Sequence, residues 1–464
     1  MGTHRAKSIA KELGRAQLGD ERRSARLEEI TQAIFDRPGV SLPRAMGGAS
    51  ALEAAYRFLG NEEVSLRAIL EPHVAATAER VAAAAVAYCI SDTTELRFGG
   101  QTRQGMGPLE HGRGVITHLA LAVSVDGSRT PLGVLNVETI VRPETPKGRH
   151  GTKKSRQQAD SESLKWSRGV LAAEEALGAR AELIHLMDRE ADIYALLALM
   201  SARNSRFVVR VAQNRRTQTE DEDEVGKLFD LLAASPEIMT REVPLSRRDR
   251  GSKRHPRRSK RSAKLSFASN TLTLRRPTSD SKALPPTLTL NFVHVFEKHP
   301  PAGEVPIDWK LVTSEPCTRR KDVEAVVDAY CTRWVIEEFF KALKTGCGIE
   351  RCQLESLEPI LNLLAIMLPV AVQLLALRSL AAADKSALTL GGLSSLQLRV
   401  LRAMSKRIRL PRTPTAQQVL LAIAALGGHL KNNGPPGWVV LSRGFQDLLR
   451  YTEAFEVFEN GRKM

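Results

Sequence analysis

The pattern of apolar and polar positions divides the chain into helical ends around a strand-rich middle. Residues 1 to about 70 read as short helices, and Asp20 stands at a helix N-cap position ahead of Glu21-Arg-Arg-Ser-Ala-Arg-Leu27. A longer helix is expected from about Ser65 to Ala85. An apolar strand follows, Val86-Ala-Tyr-Cys-Ile90, ending on Ser91-Asp92-Thr93-Thr94. Val115 to Val125 and Pro131 to Val141 read as a hairpin around the turn signal Asp126-Gly127. The polar, Lys/Arg-rich stretch 143–162 reads as a mobile loop. Ser163 to Leu177 reads as a helix, and Leu183-Ile-His-Leu-Met187 as a strand ending on Asp188. A helix over Glu190 to Met200 and a strand over Arg206 to Val211 complete this part.

Strand, hairpin, helix, strand, helix is the order of an α/β fold, a mixed sheet flanked by helices with carboxylates at strand ends. From about 212 to 320 the character changes to strand-like runs (Lys264 to Leu274, Thr287 to Phe296, Trp309 to Thr313), read as a β-rich insertion. A helix is expected from about Asp322 to Lys344, stopped by Gly346, and the tail is mostly helical. Pro359 to Leu377 carries no charged residue and is long enough to raise a membrane-spanning reading. It contains Asn362, Pro369 and Gln373 and stands alone, so a buried core helix is expected and no membrane partner. The chain therefore divides into three domains: 1–70, helical; 71–372, α/β with the insertion at about 212–320; and 373–464, helical.

Charge adds a partner class. Lys and Arg number 68 against 52 Asp and Glu, a net charge of +16, which points to a polyanion such as nucleic acid. Arg247 to Lys264 holds ten Lys or Arg and one acid, Asp249; Arg254, Arg257, Arg258 and Lys260 are its candidate phosphate contacts. Arg22, Arg23 and Arg26 place positive charge on the first turns of a helix, where the helix dipole disfavours it and an external anion would relieve it. The five scattered cysteines and the polar N-terminus point to a reducing compartment rather than a disulfide framework. Cys347 and Cys352 have no matching His or Cys pair, so no zinc site is expected there.

Chemistry enters with carboxylates. Asp92 and Asp188 each end an apolar strand, and carboxylates at the ends of adjacent strands can share a divalent ion. A third carboxylate on a facing helix would complete such a site. On an ideal helix Tyr330, Arg333, Glu337, Lys341 and Lys344 fall within about 80° of one another, a stripe of one phenol, one carboxylate and three cations. Each piece also has a plain reading: a capping aspartate, or an exposed helix with an Arg333–Glu337 ion pair.

The spacing Tyr330-x2-Arg333-x3-Glu337-x6-Lys344, within Tyr330-Cys-Thr-Arg-Trp-Val-Ile-Glu-Glu-Phe339, resembles the insertion-sequence-four family of DDE transposases. So do Asp92-Thr-Thr94, Asp188-Arg-Glu-Ala-Asp-Ile193, Gly19-Asp20 with Arg22-Arg23 and Ala25-Arg26-Leu27, and Ala55-Tyr-Arg-Phe58. Phe207-Val-Val-Arg210 and Trp309 with Thr313-Ser-Glu-Pro316 match as well. The resemblance spans about residues 18 to 350. It implies an RNase H-like catalytic domain, an N-terminal domain that reads transposon ends and a C-terminal domain that pairs protomers.

It further implies catalysis by Asp92, Asp188 and Glu337 through two Mg²⁺ ions, with Mn²⁺ as a substitute. Arg210, Tyr330, Arg333 and Lys344 would hold phosphates, and Trp309 would stack on an extruded base. The implied partners are double-stranded DNA (terminal inverted repeats and target) and a second copy of the chain, in a bacterial cytoplasm at the nucleoid. Tyr194 departs from the pattern, standing where the best-known member carries a histidine. A DNA-binding repressor derived from a transposase, and a nuclease without strand transfer, remain the alternatives.

Overall fold

The computed structural model describes residues 9–100, 103–144, 162–218, 225–248, 257–383, 393, 395–405, 408–430 and 436–461. Most of the expected loop at 143–162 and the basic residue Arg254 lie outside the described residues.

The N-terminal segment is helical. Asp20 caps α1 (Glu21–Asp36) by accepting the Arg22 amide, and α2 (Leu42–Met46) and α3 (Ala49–Leu59) follow. The Ser65 hydroxyl caps α4 (Leu66–Ala84), which leads into the first strand. Among the described residues twelve strands join in one sheet. Five of them form one half of it: β1 (Val86–Arg97), β3 (Arg113–Ser124), β4 (Pro131–Ile140), β5 (Glu182–Met187) and β6 (Arg206–Arg210). The short β2 (Gly107–Pro108) pairs on β3.

β1 runs antiparallel to β3, and β3 antiparallel to β4, whereas β5 pairs parallel to β1 and β6 parallel to β5. The spatial order β4-β3-β1-β5-β6 is the RNase H-like arrangement: an antiparallel meander extended by two parallel strands. The parallel strands reach their places through α5 (Lys165–Leu177) and α6 (Tyr194–Ala202), as parallel crossovers require.

One correction follows: β1 does not end at Asp92, because β3 continues to pair with it as far as Arg97↔Gly114, so Asp92 lies inside a twelve-residue strand. The β-rich insertion joins the same sheet. Beyond the short β7 (Arg216–Gln218), β8 (Val225–Lys227) and helix α7 (Leu228–Ala233) come β9 (Glu237–Leu245), β10 (Arg261–Arg275), β11 (Thr287–Phe296) and β12 (Asp308–Thr313). β12 pairs antiparallel with β6, Val312 opposite Val209, so these strands extend the same sheet.

The expected helix over 322–344 is broken. α8 (Arg320–Thr332) and α9 (Val335–Lys341) are separated at Arg333–Trp334, and a π-helical turn, Ala342–Cys347, follows. The apolar stretch forms α10 (Leu357–Ala383), and its most apolar part, Leu357–Ala376, is 89% buried inside the protein, as expected for a core helix. Three further helices, α11 (Ser395–Met404), α12 (Ala416–Leu426) and α13 (Trp438–Gly461), follow it.

Within α10, Asn362 is buried and its amide donates to the carbonyls of Leu59 at 2.9 Å and Val64 at 3.0 Å, tying the N-terminal helices to the core. Asn362→Ala would strand two carbonyls with no donor. Unfolding free energy is expected to fall by roughly 2–3 kcal/mol, as read by urea denaturation; a change within error would show that these bonds carry no net stability.

Candidate active site

β5 ends at Met187, and Asp188 follows it, its Oδ1 accepting the Glu190 amide at 2.9 Å. β1 and β5 pair in parallel from Val86↔Glu182 to Ile90↔Leu186. Carrying that register two residues on sets Asp92 level with Asp188, on the same face of the sheet. One Asp92 oxygen accepts the Thr93 amide at 2.7 Å; the other accepts Arg333 Nη1 at 3.0 Å. Arg333 Nη2 reaches Glu337 Oε1 at 2.9 Å. One guanidinium thus ties the second-strand neighbour of Asp188 to the carboxylate of the facing helix.

The electrostatics follow from this crowding. Burial pushes the Asp92 carboxyl up, the Asp188 charge adds to it, and Arg333 only partly opposes them, leaving Asp92 at about 7. Burial also raises Glu337, against the pull of Arg333. Among the described residues no three His, Cys, Asp or Glu side chains already stand close enough to hold one ion. The donor set is nevertheless of the kind that hard divalent cations take, carboxylate oxygens without nitrogen or sulfur. Its mutual repulsion is what a cation would relieve.

Four of the five residues of the expected helical stripe gather here, although the helix is broken. At the break the Arg333, Ile336 and Glu337 amides bond three residues back, to Tyr330, Arg333 and Trp334, which keeps the chain turning in the helical sense. Arg333 therefore still faces Asp92. Lys341 is the exception: it points outward and pairs with Glu338 at 2.8 Å. Lys344 is present but engaged, donating to the Glu95 carbonyl at 2.6 Å with Glu350 at 3.7 Å. Burial lowers its pKa.

Behind the carboxylates lies an aromatic and cationic stack. The Trp309 and Tyr330 rings meet edge-on, 5.9 Å apart. Arg210 is buried; its guanidinium lies 5.2 Å from the Trp309 ring, and it donates to the Asp308 carbonyl at 2.9 Å. Trp309 is partly buried, so it is neither a free platform nor a core tryptophan.

The other basic residues lie elsewhere. Arg22 pairs with Asp20 at 2.8 Å, Arg26 with Glu29 at 2.6 Å, and Arg23 donates to the Leu18 carbonyl at 2.7 Å. The charge expected to need an external anion is therefore met within the chain. Arg257 and Lys260 are exposed; Arg258 donates to the Ser246 carbonyl at 3.1 Å, and burial with its neighbours Arg248 and Arg261 lowers its pKa. None of these residues bonds to Asp92, Asp188 or Glu337.

Two supports escaped the sequence reading. Asp192 is buried and accepts the Ala212 and Gln213 amides at 2.7 and 2.8 Å as well as the Arg215 guanidinium, fixing the segment behind Asp188. Its signal was its place in the Asp188–Ile193 motif. His118, directly opposite Thr93 in β3, meets the Thr93 hydroxyl at 2.9 Å. Burial and the nearby Lys165 and Arg168 push it down to about 3, so it is neutral. A lone histidine in an apolar strand gave no signal. Tyr194, at the departure from the family pattern, spends its hydroxyl on the Pro285 carbonyl at 3.0 Å.

Residues 5–64 match the transposase DNA-binding family, and residues 169–371, which include Asp188 and Glu337, match the transposase DDE domain. Together the two matches support a DDE transposase. Among solved structures it is similar to one described as the cryo-EM structure of the piggyBac transposase synaptic complex with hairpin DNA. The similarity has a TM-score of 0.30 at 10% identity and covers 64% of this chain and 48% of that one. The match thus spans about half the length of the piggyBac chain.

The raised Asp92 gives a pH prediction. The folded protein holds that proton more tightly than the unfolded chain, whose aspartates titrate near 4 (about 3.9). The stabilisation is therefore complete below that range and lost as pH rises through about 7. Metal-free protein is expected to lose stability over this window relative to Asp92→Asn, measured by denaturant unfolding at each pH. A difference that stays flat from pH 4 to 8 would remove the raised carboxyl.

Proposed function

We propose that this transposase, a member of the insertion-sequence-four family, cuts a transposon from its flanking DNA and joins the 3′ ends to a target. The observation that carries this reading is Asp92, set level with Asp188 by the parallel strand pair and tied through Arg333 to Glu337. DDE domains work with divalent ions. Asp92 would be the ligand common to two Mg²⁺ or Mn²⁺ ions, with Asp188 and Glu337 each holding one. When bound, the ions activate a water or hydroxyl and stabilise the leaving oxygen.

The chain's own residues then have these roles. Arg210, Tyr330, Arg333 and Lys344 position the phosphates around the scissile bond, Arg through its forked donors. Trp309 stacks on a base extruded during hairpin formation, an interaction worth roughly 1–3 kcal/mol. The helical segment 1–70 reads the terminal inverted repeats, with Arg22, Arg23 and Arg26 on phosphates. The basic stretch around Arg257, Arg258 and Lys260 adds non-specific contact. Residues 71–372 carry the chemistry, and 373–464 pair two copies into a synaptic dimer.

The deciding experiment is cleavage of a duplex carrying the terminal repeat that flanks the gene, with Mg²⁺ and a recipient plasmid. Wild type is expected to cut and join. Asp188→Ala should bind but do neither, and Trp309→Ala should nick with hairpin formation reduced at least tenfold. Binding without cleavage by wild type would instead make the protein a repressor. Cleavage without joining would make it a nuclease.

A second test concerns Arg333 itself, whose contacts with Asp92 and Glu337 must yield when a cation arrives. A hydrogen bond to a charged group is worth about 1.5–3 kcal/mol. Arg333→Gln is therefore expected to bind Mn²⁺ about tenfold more tightly than wild type in a calorimetric titration without DNA. Equal or weaker binding would show that the arginine and the ion do not compete.

A further inference from the structure

A cavity of about 280 Å³ opens where the N-terminal helices meet α13, with none of Asp92, Asp188 or Glu337 in its lining. Four separate stretches line it: residues 34–45, residues 347–352 at the end of the π-helical turn, residues 446–450 of α13, and Leu363 and Met367 of α10. Its floor is apolar and buried, formed by Ile34, Leu363, Met367 and Leu449. Its charged lining consists of Arg37, Arg44, Arg351 and Arg450, with no Asp or Glu.

Arg37, Arg351 and Arg450 are set rather than loose. Gly39 adopts a left-handed backbone (φ 77°), and a Cβ there would lie 2.5 Å from the Gly346 carbonyl oxygen, so glycine alone fits this close approach. The Gly39 carbonyl accepts from Arg351 Nη2 at 3.1 Å and from Gln446 Nε2 at 3.0 Å. Arg37 Nη1 donates to the Arg44 carbonyl at 2.9 Å. Arg450 pairs with Asp447 at 3.1 Å. Arg44 and Arg351 have no carboxylate partner among the described residues. A guanidinium carries five N–H donors, so one backbone bond leaves Arg351 most of its capacity.

Like charges gathered at one mouth repel one another, and an anion relieves them. A small hydrated anion gains nothing from an apolar floor. A ligand with an anionic group and a flat apolar face gains from both, and the volume lies just below the usual range for ligand pockets, about 300–1,000 Å³, which suits a small ligand.

We propose that this cavity binds a nucleotide phosphate: Arg44 and Arg351 take the phosphate, and the base lies against the floor of Leu363 and Met367. The nucleotide is either free or one unit of a DNA strand. The proposal does not depend on the role of the carboxylates.

The test is calorimetric titration of the full-length protein with dAMP, inorganic phosphate and a single strand of about twelve nucleotides. Wild type is expected to bind dAMP saturably and at least tenfold more tightly than phosphate. Arg44→Glu with Arg351→Glu should lose dAMP at least tenfold, as should Arg44→Gln alone, whose exposed position spares the fold. Arg67→Glu, on exposed surface elsewhere, and Asp188→Ala should bind dAMP as wild type does. Displacement of dAMP by the single strand would identify a DNA unit as the occupant, and dAMP binding without displacement a free nucleotide; either supports the site. Absent saturation, or dAMP binding unmoved by the arginine variants, would overturn it. Equal affinity for phosphate and dAMP would overturn the seat for the base.

Discussion

The arrangement turns on one guanidinium. Arg333 bonds to Asp92 and Glu337 from a side chain that is only 11% exposed. Carboxylates buried together repel, and burying an unpaired charge costs several kcal/mol (roughly 3–5). A forked cation is the side chain that can satisfy two of them at once. Its position depends on the break between α8 and α9, where bonds to the third residue back keep the chain turning. The π-helical turn that follows widens the helix, and Lys344 within it reaches the Glu95 carbonyl. β1 is therefore held along its outer half by this one helical segment: Asp92 by Arg333, the Glu95 carbonyl by Lys344, and the Arg97 amide by Glu350 at 2.9 Å.

The insertion contributes through the sheet rather than through a loop. Because β12 pairs with β6, Leu311 lies opposite Arg210, which brings Trp309 beside the Arg210 guanidinium and against Tyr330 of α8. Three residues far apart in sequence become one surface next to the carboxylates. A substitution that slipped the register of β12 by one residue would turn Trp309 to the opposite face. The position of that tryptophan is thus a property of strand pairing across some hundred residues of chain.

That explains what the sequence could and could not tell. The apolar runs of β1, β3 and β5 and the turn at Asp126-Gly127 were legible, because a strand buried on both faces reads as a short continuous apolar run. The helical stripe was legible too: it survives the break, since Tyr330, Arg333 and Glu337 still converge. The break itself was not, because nothing in Arg333-Trp334 breaks a helix by propensity. The continuation of β1 past Asp92 was hidden, since Thr93 to Glu95 are polar and only the length of β3 keeps them in the sheet. His118 and Asp192 were invisible as partners because each acts on a residue brought near by folding.

Net charge was a blunter guide than pairing. The +16 overall points to a polyanion but not to a place. Arg22 and Arg26 are already paired, yet Arg22 is 91% exposed, and exposed pairs are screened and exchange partners at little cost. Their pairing in the isolated chain therefore does not remove them from contact with phosphates. Arg333 is the opposite case: its buried bonds to two carboxylates are broken only when another cation takes its place. Arg44 and Arg351 lie beyond even the exposed pairs, cations with no carboxylate partner among the described residues, lining an apolar cavity. The location of basic residues is thus less informative than what each would give up to meet an anion. By that measure the arginines around Gly39 give up the least and have the most to gain.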